Sequence, residues 1–233
     1  MLRAENLVCR RAGRTVLDQL DLRVLPNEIV ALVGPDAAGR TAVLEVFAGR
    51  LSVASGRALV AGADVAADPA AAFATAAYVP ASPVFAPAVS GLAHLEEVSA
   101  RLGRRIPAAV LGATLERSGL APFWHGQRVR DYTPAARRQL ALAAASLKNA
   151  PVLLLDEPTA DLAPPDVDHL AESLRRLRKR GATILLATSD RAFARRLATR
   201  LVHLEQGTVA ATAELTVSRT DHRAESYLSA LVG

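Results

Sequence analysis

Three stretches of this chain are apolar, or nearly so, without alternation: Ile29 to Val33, Val152 to Leu155, and Thr183 to Ala187, where only Thr183 is polar. Side chains point to both faces of a strand, so an unbroken apolar run predicts a strand covered on both sides, as in a parallel sheet. Residues 2–25 read as short strands; Val16 to Val24 alternates only in part, and Pro26-Asn27-Glu28 makes a turn. Further strands are predicted at Arg57 to Val60, with a turn at Gly62, and at Ala76 to Val79. Pro80, Pro83 and Pro87 then break regular structure.

From about Ser90 to Gly119 the period becomes helical, with Leu92, Leu95, Val98 and Leu102, then Val110, Leu111, Leu115 and Leu120. Thr133 is placed to cap a helix with Pro134 at its first position, running to about Leu147. Other helices are expected over Thr41 to Ala48, Pro165 to about Arg180, and Arg223 to Leu231. Leu201 to Leu204 and Thr208 to Ala211 flank Glu205-Gln206-Gly207 as a hairpin. Strands and helices thus alternate at both ends, with a helical insertion of roughly sixty residues between them.

The chemistry sits where two of the buried strands stop. Leu155 runs into Asp156 and Glu157, and Pro158 cannot continue a ladder. Both acids therefore fall at the carboxyl edge of the sheet, where open α/β folds bind ligands. Adjacent carboxylates there suit a nucleotide's magnesium and its attacking water. Upstream, the strand ending at Val33 enters Gly34-Pro35-Asp36-Ala37-Ala38-Gly39-Arg40-Thr41-Ala42. Strand, Gly-x-x-x-x-Gly-basic-Thr and helix is the context of a phosphate loop.

At 233 residues and 51% hydrophobic, the chain has ample material for a core. No apolar run reaches the length of a membrane span, and residues 1–6 lack the apolar stretch of a signal peptide. The single cysteine, Cys9, excludes an internal disulfide and fits a reducing compartment. The net charge is +5, carried almost wholly by arginine, since Lys148 and Lys179 are the only lysines. Arg137-Arg138 and Arg175 to Arg180 fall on predicted helices and read as solvated faces or helix C-termini. They lack a nucleic-acid fold motif or aromatic platform, so no nucleic-acid partner is expected. His94, His125 and His203 lack metal-ligand spacing and read as surface or strand residues. Phe123 and Trp124 read as core residues of the insertion.

Taken together, these segments resemble the ATP-binding cassette (ABC) ATPase domain over nearly the whole chain. Gly34 to Thr41 resembles Walker A, and Tyr78-Val79-Pro80-Ala81 the approach to the Q-loop. Tyr132 to Ala143 resembles the signature segment with its helix, and Val152 to Thr159 Walker B. Ala160 to Pro164 resembles the D-loop and Leu186 to Asp190 the H-loop. The resemblance implies an α/β fold: a P-loop NTPase core of ABC type, with an N-terminal antiparallel β subdomain and an inserted α-helical subdomain. The ATPase core would comprise residues 1–84 and 151–233, and the helical subdomain 85–150. It also implies ATP and Mg²⁺ as ligands. Residues 34–42 would hold the nucleotide, Thr41 and Asp156 the metal, and Glu157 would polarise the attacking water.

Several positions depart from the family's pattern. The phosphate-loop lysine is Arg40, a wide planar fork in place of a slim stem. The loop's middle glycine is Ala37, which would cost about 1–2 kcal/mol if the backbone there is left-handed. The signature Ser-Gly-Gly-Gln is Thr133-Pro134-Ala135-Ala136, and Pro134 has no N–H to offer a phosphate. The Q-loop glutamine is Ala81, the H-loop histidine Ser189, and the D-loop aspartate Ala163. Arg11 aligns loosely with the aromatic that stacks on adenine.

The leading expectation is therefore a catalytically degenerate ATP-binding subunit of an ABC transporter, of exporter type. It would sit on the cytoplasmic face of the membrane against a transmembrane subunit, paired with a second cassette or with itself. ATP binding would be weak or lost. One alternative is a scaffold or regulator outside transport that uses the fold for protein contacts. Another is a working ATPase in which Arg40 and Arg137 or Arg138 take over phosphate contacts.

Overall fold

The computed structural model describes residues 1–35 and 37–215, with only the backbone of Ala38. The helix expected at Arg223 to Leu231 lies outside these residues.

The N-terminal part is an antiparallel sheet. Strands β1 (Leu2–Arg11), β2 (Arg14–Val24), β4 (Val53–Val60) and β5 (Ala63–Asp64) pair in the order β2-β1-β4-β5. The expected short strands are two long ones. Their register shifts between Ala4 and Leu7 and again before Arg10, and Asn6 and Gln19 have positive φ. Such bulges break the period of two, which is why the pattern looked like fragments.

The second sheet has the order β10-β9-β3-β8-β7-β6. It comprises β3 (Ile29–Val33), β6 (Ala76–Val79), β7 (Val152–Asp156), β8 (Thr183–Ala187), β9 (Arg200–Glu205) and β10 (Thr208–Glu214). All neighbours are parallel except β10 against β9. Every residue of β3, β7 and β8 is buried, as their unbroken apolar runs require. Strand β7 stops at Asp156, ahead of Pro158.

Helix α1 (Ala37–Phe47) fills the space between the two sheets. Its Val43, Leu44, Val46 and Phe47 pack with Leu2, Leu20, Leu32 and Leu154. The expected start at Thr41 was four residues late, because Ala37 and Ala38 join the first turn; alanine is the best helix former. On the other face, α7 (Pro164–Lys179) and α8 (Arg191–Leu197) cover the second sheet through Leu170, Leu174, Phe193 and Leu197. A short α2 (Pro69–Thr75), capped by Asp68, leads into β6.

Residues between β6 and β7 are helical and have their own core. Helices α3 (Gly91–Arg101), α4 (Ala108–Arg117) and α6 (Pro134–Leu147) enclose Leu95, Leu111, Leu115, Leu120, Leu140 and Leu147. The turn α5 (Pro122–His125) carries Trp124 against this core, but Phe123 is exposed, contrary to its expected burial. His94 is half-buried on α3, edge-on to Phe85, rather than on a surface or a strand. Among the described residues, no helix is long and apolar enough to cross a membrane.

Candidate functional site

The loop after β3, the start of α1, the end of β7 and the segment after β8 meet at one edge of the parallel sheet. Thr41 donates its hydroxyl to Asp156, 3.0 and 3.1 Å from the two carboxylate oxygens. Asp156 is buried, and burial pushes its pKa up; the Glu157 and Glu45 charges add to this, while the Thr41 bond and Arg40 oppose it.

Arg40 lies folded into its own loop and is only 3% exposed. Its Nη1 donates to the Gly34 carbonyl, and its Nη2 donates to Glu157 Oε1 at 3.1 Å. Its Nε is buried with no partner among the described residues. Glu157 Oε2 accepts from the Ser189 backbone N–H at 2.9 Å and from its hydroxyl at 3.0 Å. The backbone of Glu157 has φ 42°, a left-handed conformation that disfavours a side chain by about 1–2 kcal/mol. The bond from its N–H to Ala187 O, 2.8 Å, holds it there.

Residues 34 and 35 form the loop after β3, and residues 37, 39, 40, 41 and 42 lie in the first turns of α1; Asp36 and the Ala38 side chain lie outside the description. Ala37 is helical rather than left-handed, so the strain expected there is not incurred. Arg11 instead forms an ion pair with Glu45 of α1.

The signature segment serves as a helix start. Thr133 Oγ1 accepts from the Ala136 N–H at 3.1 Å, with Pro134 at the first position. Arg138, read from sequence as part of a solvated face, is 3% exposed. It donates from Nη1 to Glu157 O at 2.8 Å and from Nη2 to Ala81 O at 2.9 Å. Burial pulls its pKa down, against the pull of Asp161 and the other acids. A signal for this existed: Arg138, Ala141 and Ala145 share a second face of α6, whose small residues mark a second packing contact.

A family profile for the ABC transporter matches residues 17–160. The chain belongs to the ABC transporter family. It is 35% identical over 213 residues to a daunorubicin resistance ATP-binding protein of Streptomyces coeruleorubidus, covering 88% of this chain and 64% of that one. It is 34% identical over 201 residues to a thiamine import ATP-binding protein of Mesorhizobium japonicum, covering 82% and 76%. The chain spans 61% of an uncharacterised ABC transporter ATP-binding protein of Bacillus subtilis, at 26% identity over 189 residues. Among solved structures, an ATP-binding subunit of an ABC transporter superposes with TM-score 0.79 at 25% identity, over 92% of this chain and 90% of that one. A dimeric cassette solved with ADP and phosphate superposes with TM-score 0.85 at 17% identity, over 94% and 100%, which speaks for the fold.

The family's ligand can be tested against these side chains. Thr41 and Asp156 have the oxygen donors that suit Mg²⁺, although here they bond each other. The phosphates do not fit the arrangement shown: the basic group of the loop is tied to a carbonyl and a carboxylate of its own chain. A cavity of about 570 Å³ does exist between α4, α6 and α7, with Leu142, Leu153, Leu170 and Leu174 among its lining residues, but no described residue of the phosphate loop lines it.

The raised pKa of Asp156 has a sign that can be checked. In the native state it holds its proton above the unfolded value of about 3.9. Stability therefore falls as pH rises from about 4 through the folded pKa, and the loss persists at neutrality. Asp156→Asn, which keeps an acceptor for Thr41, should melt above wild type at pH 7. The gap should shrink as pH approaches about 4. A variant that melts at or below wild type at pH 7 contradicts this account.

Proposed function

We propose that this chain is a cassette subunit of an ABC transporter, of exporter type, that hydrolyses ATP slowly or not at all. The observation that carries this reading is Arg40: buried, and bonded to Gly34 and Glu157 rather than facing a ligand. The group that would polarise water, Glu157, has both carboxylate oxygens engaged. Phosphoryl transfer depends on charge stabilisation around a positioned phosphate. Arg138 is committed to two carbonyls, which weighs against its taking over a phosphate contact.

In this reading residues 34–42, Thr41, Asp156 and Glu157 are the remains of a nucleotide and Mg²⁺ site. Residues 85–150 form the helical subdomain, beside the loop from Pro80 to Pro87 that docks a membrane-spanning partner on the cytoplasmic side. Val84 is 92% exposed at the loop's tip, while Phe85 is anchored between the sheet-side and helical cores. A second cassette, or another copy of this chain, completes the dimer. The exporter type rests on the sequence resemblance, since the relatives include both a protein named for drug resistance at 35% identity and one named for thiamine import at 34%.

Titration calorimetry of the full chain with Mg-ATP tests the reading. Each lost hydrogen bond to a charged group weakens binding by about 1.5–3 kcal/mol. Two such losses move a micromolar dissociation constant to about the millimolar range, at about 1.4 kcal/mol per tenfold. Millimolar binding, with negligible phosphate release, is the expected result. A dissociation constant at or below about 10 μM would show a competent site and sink the reading.

A further inference from the structure

We propose that Glu157 acts as a built-in anion for Arg40, so that the phosphate loop is held shut by a latch of Arg40, Glu157 and Ser189. The proposal rests on the reading above and gives it a cause: phosphate has a competitor inside the chain. The three residues come from three separate segments: the start of α1, the end of β7 and the turn after β8. They converge as a chain of bonds, from Gly34 O through the Arg40 guanidinium and the Glu157 carboxylate to the Ser189 N–H and hydroxyl.

Each side of the latch is fixed by its surroundings. Glu157 is held at φ 42° by its N–H bond to Ala187 O, and Arg138 bonds its carbonyl at 2.8 Å. The carboxylate therefore points at Arg40 from a rigid base. Ser189 adds the second hold, because its short side chain lets both its backbone N–H and its hydroxyl reach Oε2. Arg40 supplies the reach, since its fork can bond Gly34 and Glu157 at once. The latch is also incomplete. Among the described residues Arg40 Nε is buried without a partner, and the guanidinium is held there by two of its three nitrogens. An oxyanion that takes the place of the carboxylate would find that fork available.

A latch of this kind lowers the apparent affinity for phosphate by the fraction of molecules in which it is open. Removing the charge of Glu157 should therefore raise affinity. The probe is inorganic pyrophosphate, which tests the loop without adenine contacts, titrated by calorimetry into the full chain. Wild type should bind weakly. Glu157→Gln, which keeps the shape and a bond to Ser189, should bind at least about tenfold more tightly, as expected for a latch closed about nine times in ten. Adding Arg40→Ala to Glu157→Gln should abolish the gain.

Weak wild-type binding with no gain in a folded Glu157→Gln protein overturns the latch and leaves the cassette reading standing. Wild type that already binds pyrophosphate at low micromolar concentration overturns both. Should Glu157→Gln fail to fold, Ser189→Ala takes its place, since it removes one of the two bonds on Oε2. A gain of threefold or more is then expected, and no gain counts against the latch.

Discussion

Replacing Gly34 by alanine should remove about 3–5 kcal/mol of stability, a large part of the total for a domain of this size. Gly34 follows the last residue of β3 with φ +134°, a conformation that side chains rarely adopt. A Cβ there would be driven into the Leu204 carbonyl oxygen and would stand 3.1 Å from its carbon. Strand β3 pairs in parallel with β9 up to Val33 opposite His203, so neither backbone can move away without breaking the ladder. Backbone strain of this kind costs about 1–3 kcal/mol, and overpacking typically adds about 1–3 kcal/mol. The melting temperature should fall by about 10 °C, at about 2–4 °C per kcal/mol for a chain of this length. Gly62→Ala is the control: its φ is +93°, but nothing lies within 4 Å of the added carbon. If Gly34→Ala melts at the same temperature as Gly62→Ala, the close approach of Leu204 has no energetic weight.

The two loop positions show what the sequence could and could not reveal. Gly34 is required by packing, and it is glycine; Ala37 lies in a helix, where alanine is favoured. From sequence alone, Ala37 looked like a strained substitution, because the loop was assumed to keep the family's path. The buried strands were legible because their apolar runs admit few other structures. So was the start of α6, where Thr133 and Pro134 each meet a specific need of a helix end. The long β1 and β2 were not legible, since their bulges interrupt the alternation that would have marked them.

The pairing of Arg40 with Glu157 was hidden for a different reason. The two are 117 positions apart. Arg40 was expected to hold nucleotide and Glu157 to polarise water, and their mutual contact depends on the fold that brings two strand ends together. Ser189 was read as a lost histidine, which overlooks that its small side chain can bond Glu157 twice.

Arg138→Ala should destabilise the protein by about 3 kcal/mol and loosen the helical segment from the sheet. The guanidinium leaves α6 and bonds two backbone carbonyls, Glu157 at the end of β7 and Ala81 after β6. Asp161 stands 3.7 Å away and is largely exposed, so this ion pair is the smaller contribution. Truncation strips both carbonyls of a charged donor, worth about 1.5–3 kcal/mol each in gross terms. Relief from burying the guanidinium offsets part of this; burial already pulls its pKa down, and its Nε has no partner among the described residues. A net of about 3 kcal/mol predicts a melting temperature lower by about 6–12 °C. Arg138→Lys should recover only part of the loss, because one ammonium cannot reproduce a planar fork. Arg137→Ala is the neighbouring control: its Nη2 bonds Arg130 O at 3.2 Å in an exposed setting, and its removal should shift stability by no more than about 0.5 kcal/mol. Limited proteolysis adds a readout that general destabilisation would not confine to one place. Below its melting temperature, Arg138→Ala should be cut faster within the loop from Pro80 to Pro87, because Ala81 loses its tie to α6. If Arg138→Ala melts with wild type, or if lysine restores it fully, the fork between α6, β7 and that loop is not what joins them.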